Sequence, residues 1–187
     1  MDPRSYRRQF ALRNGTQVTL RAISADDETR LLAAFQALDP QSIYTRFMSV
    51  KHNISDDELK SATHVDFDLT VALVAVVATA AKEVIIGGGR YVRLSPREPD
   101  VAEIAFTIEE DFQRQGLAGL ILHELAEIAK GAGITRFVAE VLPGNTAMLK
   151  VFRRSGISMS VHHETGITHV ELQLLDRGER TKPTRPY

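Results

Sequence analysis

Apolar and polar side chains alternate with a period of two along several short stretches, a pattern that predicts strands with one buried face. In residues 17–23, for example, Val18, Leu20 and Ala22 fall on one face. A continuous apolar run over residues 69–78 is typical of a fully buried strand. Seven strands are predicted in all, over residues 17–23, 69–78, 83–94, 101–108, 136–142, 157–161 and 168–174. Glycines at 87–89, inside one of these strands, indicate a bulge or a close backbone approach.

Apolar residues at helical spacing lie between these strands. Ser24, Ser55 and Asn145 are predicted helix N-caps. The predicted helices are one that follows Ser24 and stops before Pro40, two short ones over residues 41–50 and 55–63, a long one over 116–131, and one from Asn145 to Gly156. Strand, helix and strand follow one another once, over residues 101–142, which implies one parallel pair with a right-handed crossover. The predicted fold class is therefore α+β, with a mixed and mostly antiparallel sheet.

The composition is that of an ordinary globular domain: 187 residues, 43% hydrophobic and 25% charged, with a net charge of −1. We predict a single domain over residues 1–187, with its core over 17–174 and a flexible tail over 176–187. The near-zero charge argues against binding to nucleic acid or to an anionic membrane. Because cysteine is absent, disulfides, thiolate nucleophiles and cysteine-ligated zinc are excluded. The longest apolar run, residues 71–81, is too short to cross a bilayer, and we expect a cytoplasmic protein.

The most informative segment joins the strand that ends at Ile108 to the long helix. It carries Gln113, Gly116 and Ala118 in the pattern Gln-x-x-Gly-x-Ala. The N-terminus of a helix exposes unpaired amides and about half a positive charge, so it binds anions. The loop lacks the Gly-Lys-Ser/Thr of nucleoside triphosphatases and the Gly-x-Gly-x-x-Gly of dinucleotide-binding folds, and acidic residues 109–111 disfavour RNA. A phosphate-bearing cofactor that is not cleaved at phosphorus is one interpretation, and a tight turn without a ligand is the other.

This loop, followed by Asn145 at a helix start and by Gly156-Ile157, resembles the corresponding motifs of the GNAT superfamily of acyl-CoA-dependent N-acetyltransferases. The resemblance covers residues 17–174. The chain looks most like the acetyltransferase domain of bacterial protein lysine acetyltransferases, in residues 12–15, 21–23, 42–47, 89–93 and 141–145. This resemblance implies a GNAT-like sheet of about seven strands with helices on both faces, whose one parallel strand pair splays apart to admit coenzyme A.

The resemblance also implies which residues hold acetyl-CoA, the expected co-substrate. Backbone amides of residues 115–119 would hold the pyrophosphate, and the strand end at residues 106–108 would pair with the pantetheine. The predicted cofactor-binding residues are Phe106, Thr107, Ile108, Gln113, Arg114, Gln115, Gly116, Leu117, Ala118, Gly119 and Asn145. We expect no metal, since the histidines at 162, 163 and 169 are not accompanied by further ligands at suitable spacing.

Glu103 is the predicted catalytic residue. An amine must attack in its neutral form, which requires a base, and strand alternation places Glu103 among small and apolar side chains, where loss of solvent would make it a stronger base. A solvated strand glutamate is the alternative from the pattern alone; the resemblance favours catalysis, because related enzymes keep a glutamate in the same Ala-Glu-x-Ala-Phe context. Glu140 is the second candidate. Many GNAT enzymes use a tyrosine as general acid where Phe152 stands here, so no acid is assigned.

The predicted function is transfer of an acetyl group from acetyl-CoA to an amine. The expected acceptor is a protein lysine, with an acyl-CoA synthetase as a candidate partner, and Tyr44 and Phe47 are candidates for lining the acceptor cleft. Two alternatives stay open: a small-molecule amine as acceptor, and an acyl-CoA-binding sensor without catalysis. The phenylalanine at 152 favours the sensor. His123 and Glu124 are predicted on the solvated side of the long helix.

Overall fold

A mixed sheet of eight strands forms the centre of the protein in the computed structural model, which describes residues 2–48, 52–80 and 82–175. The strands are β1 (Arg7–Ala11), β2 (Gln17–Ala22), β3 (Thr70–Ala78), β4 (Glu83–Ser95), β5 (Glu98–Ile108), β6 (Arg136–Val141), β7 (Ser158–Glu164) and β8 (Ile167–Gln173). They lie in the order β1-β2-β3-β4-β5-β6-β8-β7. Among these eight described strands only β5 and β6 run parallel, so the predicted fold class is confirmed. The predicted tail over 176–187 lies outside the described residues.

Strands β1 and β5 differ from the prediction, and β7 continues to Glu164, three residues beyond its predicted end at Val161. Strand β1 was not predicted, because its exposed residues show no apolar alternation; it is an edge strand that pairs with β2 from Arg7↔Arg21 to Ala11↔Gln17. Strand β5 begins three residues earlier than predicted. The pair Ser95↔Glu98 continues the β4–β5 hairpin up to a tight turn, so these polar residues are held by backbone pairing that their side chains do not signal.

Five α-helices connect the strands of the described part of the chain. They are α1 (Glu28–Ala37), α2 (Pro40–Phe47), α3 (Asp56–Thr63), α4 (Leu117–Gly131) and α5 (Thr146–Arg154). The predicted cap of α3 is confirmed as a reciprocal capping box, in which Ser55 Oγ accepts from Glu58 N at 3.3 Å and Glu58 Oε2 accepts from Ser55 N at 2.9 Å. The end of the predicted helix over 41–50 lies outside the described residues. No helix among the described residues combines the length and the apolar character that crossing a membrane requires.

The sheet buries apolar side chains on both faces. On one face α4 and α5 contribute side chains such as Leu125 and Phe152 to the larger cluster. On the other face the smaller cluster includes Val74 and Ile85, against which Leu31 and Ala34 of α1 pack. Helix α2 also lies over β5. The arrangement of helices on both faces is therefore confirmed.

The glycine run in β4 allows the close approach that the sequence predicts. A Cβ atom on Gly89 would lie 2.7 Å from Ile121 Cγ2 of α4 and 2.7 Å from the Phe106 ring, distances that side chains do not tolerate. The pairing of β3 with β4 also shifts register between Ala75 and Val76, which is the predicted bulge. Helix α4 is thus seated directly on β4, and its N-terminus is held at a fixed height above the sheet.

A buried carboxylate joins the start of α1 to β2. The Asp27 side chain is fully buried and accepts hydrogen bonds from the Arg21 guanidinium at 2.7 and 2.8 Å, from Arg30 at 3.0 Å and from Ser24 N at 3.0 Å. Burial raises the pKa of Asp27, but the hydrogen bonds from Arg21 and Ser24 outweigh it and leave the pKa below its usual value. The ion pair therefore strongly favours the charged form of Asp27.

The solvated position predicted for Glu124 is wrong. This carboxylate of α4 is 5% exposed and accepts a hydrogen bond from the Tyr6 hydroxyl at 2.7 Å, with Arg8 at 3.4 Å. Burial raises the pKa of Tyr6, and the bond to Glu124 raises it further. The unpredicted N-terminal segment covers this side of α4, which is why helical periodicity alone misplaced the residue. His123 is exposed, as expected.

Candidate functional site

The two parallel strands pair over only three positions and then separate. The register is Val101↔Arg136, Ala102↔Phe137 and Glu103↔Val138. Beyond Glu103, β5 continues to Ile108 paired with β4 alone. Its edge toward β6 is therefore open over residues 104–108, where a ligand with amide groups can add to the sheet.

A cleft of about 1660 Å³ passes through this opening. It extends from α2 on one face of the sheet to α5 on the other. Its lining includes most of the predicted cofactor-binding residues: Phe106, Thr107, Ile108, Gln113, Arg114, Gly116, Leu117, Ala118, Gly119 and Asn145. The fold therefore brings together at one site residues that are up to 39 positions apart in the chain.

Residues of the loop before α4 line the cleft. Arg114 and Gly116 adopt left-handed conformations, with φ of 59° and 96°, and such turns form concave anion-binding nests of N–H groups. Gly116 is the N-cap of α4, whose first turn has neither a side-chain cap nor an acidic residue. The partial positive charge of the helix N-terminus is therefore open to an anion from the cleft.

Two glutamines shape this loop through their side chains. Gln113 Nε2 donates to the Ile108 carbonyl at 3.1 Å, and Gln115 Nε2 donates to the Asp111 carbonyl at 2.8 Å. Gln115, alone among the predicted cofactor-binding residues, does not line the cleft. These contacts tie the end of β5 to the loop, so the open strand edge and the nest keep a fixed relative position.

Arg13 is a cleft residue that the sequence reasoning missed. It belongs to the turn between β1 and β2, where its backbone N–H donates to the Gln115 carbonyl at 3.3 Å. Its Nε atom lies 3.8 Å from the position that a Cβ on Gly116 would occupy, and the residue lines the cleft. The single signal for it was its place in residues 12–15, one of the segments on which the family resemblance rests.

Glu103 lies where the parallel strands separate. It is the last residue of β5 that pairs with β6, and it lines the part of the cleft near α2. The expectation that small and apolar neighbours would desolvate it is wrong, because Glu103 is exposed. The cleft itself admits solvent at this point, which alternation along a single strand does not reveal.

Arg46 of helix α2 interacts electrostatically with Glu103 and with Arg90. Burial lowers the pKa of Arg46, in the last turn of α2, to about 10; the charge of Arg90 lowers it further and the charge of Glu103 opposes the shift. Arg46 lines the cleft. The side of the cleft beside α2 is therefore rich in charge, whereas sequence alternation predicted apolar surroundings.

The remaining candidates have defined positions. Glu140 is exposed, with its Oε1 3.8 Å from Nδ1 of His169. Asn145 Oδ1 accepts from Met148 N at 3.1 Å, so its predicted capping role is confirmed. Phe152 is 1% exposed, with its ring centroid 6.2 Å from that of Phe106, and serves the core.

Residues of α2 form one wall of the cleft beside Glu103. Tyr44 is 40% exposed and lines the cleft. The side chain of Phe47 lies outside the described part of the structure. Helix α2 thus supplies a polar wall with an aromatic side chain at its surface.

A mixed sheet opened at its one parallel pair, with a helix N-terminus facing the gap, defines an acetyltransferase fold, and three comparisons agree. The family model of the GNAT acetyltransferase domain matches residues 17–158. The GNAT domain of S. lividans PAT superposes with a TM-score of 0.81 at 31% identity, over 89% of this chain and 96% of that one. The yncA protein of Salmonella typhimurium, solved with its cofactor acetyl-CoA, shares the fold with a TM-score of 0.69 at 17% identity, over 89% of this chain and 97% of that one.

The chain belongs to the GNAT acetyltransferase family. It is also 28% identical over 165 residues to the acetyltransferase Pat of Mycolicibacterium smegmatis, a match that covers 87% of this chain and 47% of that enzyme. The chain thus spans about half the length of that relative. The expected class, an N-acetyltransferase of the GNAT type, is confirmed.

Proposed function

We propose that this protein transfers an acetyl group from acetyl-CoA to the side-chain amine of a protein lysine. The observation that carries the proposal is the position of Glu103 at the point where β5 and β6 separate, on the same cleft as the amides at the start of α4. One cleft thus offers a site for the phosphates of the donor and a carboxylate for the acceptor. The acetyl-CoA complex of the Salmonella yncA protein, which has the same fold, supports the choice of donor.

The donor is held by backbone groups along the open strand edge. The pyrophosphate lies on the amides of residues 115–119, where the nest and the helix dipole favour negative charge. The pantetheine amides pair with β5 over residues 106–108, which have no partner strand on that side. This pose directs the thioester toward Glu103.

Glu103 removes the proton from the acceptor amine. A lysine has a pKa of about 10.4, so forming the neutral amine at pH 7 costs about 5 kcal/mol, which a base offsets. Because Glu103 is exposed in the cleft, it accepts the proton directly or through one water molecule. The amine nitrogen attacks the acetyl carbon, the carbon–sulfur bond breaks, and coenzyme A leaves as the thiolate. Holding both reactants in one cleft makes this step effectively unimolecular.

A protein acceptor suits the open side of the cleft beside α2. Exposed Glu103, Glu140 and Tyr44 lie along it, so a lysine carried on another protein can reach the thioester. A non-catalytic acyl-CoA sensor is the second candidate, and one observation favours it. Phe152 is a buried side chain that cannot donate a proton. Many enzymes of this family have a tyrosine that acts as general acid at this position.

The proposal is tested by measuring thiol release from acetyl-CoA in the presence of lysine peptides, folded proteins and small amines. We expect release with lysine peptides or proteins, and a mass increase of one acetyl group on the acceptor. Release with small amines alone would replace the protein acceptor by a small one. Binding of coenzyme A with no release for any acceptor would favour the sensor.

Arg13 is expected to add a charge contact to a donor phosphate. Replacing it by alanine should raise the KM for acetyl-CoA about five- to tenfold and leave kcat nearly unchanged, because a charge-assisted hydrogen bond on an exposed side chain is lost. Steady-state kinetics with acetyl-CoA and with its analogue lacking the 3′-phosphate measure this. If Arg13→Ala also raises the KM for the analogue, Arg13 contacts the pyrophosphate. If the KM for the analogue is unchanged, Arg13 contacts the 3′-phosphate.

The matched control for this prediction is Arg97→Ala, which removes an exposed arginine from the turn between β4 and β5. It should leave the KM unchanged. Equal KM values for Arg13→Ala and the unmodified protein, with both donors, would contradict the assignment.

A further inference from the structure

Arg90 is an arginine of the central sheet that has no anionic partner among the described residues. It lies in β4 opposite Ala105 and is half-buried. Within the described residues its guanidinium has no hydrogen bond and no ion pair. Three other arginines of the sheet differ: Arg21 binds Asp27 and Glu83, Arg93 donates to three backbone carbonyls, and Arg136 pairs with Glu98 and Glu171. A half-buried guanidinium without a partner lowers the stability of a folded protein. We therefore expect a bound ligand to supply the hydrogen-bond acceptor.

A second cation lies close to it. Arg46 reaches the same region from the last turn of α2, and its half-buried side chain lines the cleft. Burial is the main cause that lowers the pKa of Arg46, and the charge of Arg90 is the next. Arg46 keeps its charge at neutral pH. Arg46 adds a second positive charge beside the cleft on the face of the sheet where Arg90 lies, which favours the approach of an anion.

The position of this pair relative to the reacting groups limits what the anion can be. Ala105, the partner of Arg90 in the sheet, follows Glu103 by two residues and points to the same face, about 7 Å farther along the strand. An anion between Arg90 and Arg46 therefore lies several bonds away from an amine at Glu103. The cations lie on the α2 side of the sheet, whereas the helix N-terminus that suits the donor phosphates lies at the start of α4.

We propose that Arg90, together with Arg46, binds a carboxylate that belongs to the acetyl acceptor. This inference rests on the proposed function and specifies its substrate class: an amine with a carboxylate nearby. In a protein acceptor the carboxylate is an aspartate or glutamate next to the modified lysine. In a free amino acid it is the α-carboxylate. A guanidinium binds either with two parallel hydrogen bonds.

The test compares acceptors that differ only in this charge. Lysine peptides with glutamate on either side are measured against the same peptides with glutamine, and free amino acids against the corresponding amines without the carboxylate. We expect kcat/KM to favour the carboxylate-bearing member by about ten- to a hundredfold, in whichever of the two series supplies the natural source. Arg90→Glu should abolish or invert this preference, with the KM for acetyl-CoA unchanged. Arg97→Glu, the same charge reversal at an exposed turn, should keep the preference.

The outcomes separate this inference from the function on which it rests. Acetyl transfer that is equally fast with and without the carboxylate, in both series, would overturn the inference and leave the proposed function standing. A preference that survives Arg90→Glu would also overturn it. Absence of transfer to every acceptor would overturn both. Thermal unfolding of Arg90→Glu and of the more conservative Arg90→Gln distinguishes loss of the site from loss of the fold. Arg90→Gln should abolish the preference for carboxylate-bearing acceptors without inverting it.

Discussion

Replacing Glu103 by glutamine is expected to lower kcat about 10²–10⁴-fold, the contribution of a positioned general base. The amide has nearly the shape of the carboxylate but cannot accept the proton of the acceptor amine. The affinity for coenzyme A should not change, because the donor contacts the start of α4 and the open edge of β5. Steady-state kinetics and calorimetric titration with coenzyme A measure the two effects separately.

Glu140→Gln is the matched control for this substitution. It removes another exposed carboxylate of the same cleft, on β6 instead of β5, and should change kcat far less. A Glu103→Gln variant with unchanged kcat would remove Glu103 from the mechanism. A larger effect at Glu140 would exchange the roles of the two residues.

Asp27→Asn is expected to lower the free energy of unfolding by about 3–5 kcal/mol, since it breaks a buried ion pair from one side. The Arg21 side chain, which is 12% exposed, would lose its main anionic partner, and Arg30 and Ser24 would each lose a charged acceptor. Urea unfolding followed by circular dichroism measures the loss. An exposed carboxylate one residue earlier provides the control: Asp26→Asn should cost less than about 0.5 kcal/mol.

The free energy of unfolding that Asp27→Asn removes should become smaller as the pH falls. Its pKa is lower in the folded protein than in the unfolded chain, where it is about 3.9. The stabilisation is therefore fully present above the unfolded pKa and is lost as the pH falls through the folded pKa. The difference between the unmodified protein and Asp27→Asn should be constant near neutral pH and shrink below about pH 4. A difference that grows under acid would contradict the ion pair as its cause.

Local patterns were sufficient for most of the secondary structure. The strand with Val18 and Leu20 and the helix capped by Ser55 were predicted because period and capping are properties of neighbouring residues. Strand β1 was not predicted because three of its five residues are polar and its apolar residues do not alternate; the hydrogen bonds to β2 that hold it are not visible in the side chains.

Of the cleft residues, the sequence predicted those that belong to one short segment and missed Arg13, which meets that segment only in the folded protein. The Gly116 loop belongs to a short segment, and its conformation follows from small residues between a strand and a helix. Arg13 was missed because the loop that it contacts lies about 100 positions away in the chain. Glu103 was identified through the family resemblance, whereas its exposure and its charged neighbours depend on helix α2 and strand β4.

The sequence by itself determined the order of the predicted elements and the turn before α4, because each depends on short-range pattern, and the family resemblance added Glu103 on β5. Only the tertiary structure decided that β5 and β6 separate directly after Glu103, that Arg13 approaches Gly116, and that Arg90 has no hydrogen bond or ion pair with any described residue. These features arise where segments distant in the chain converge. Burial and charge at such points are set by the packed neighbours, which no local pattern specifies.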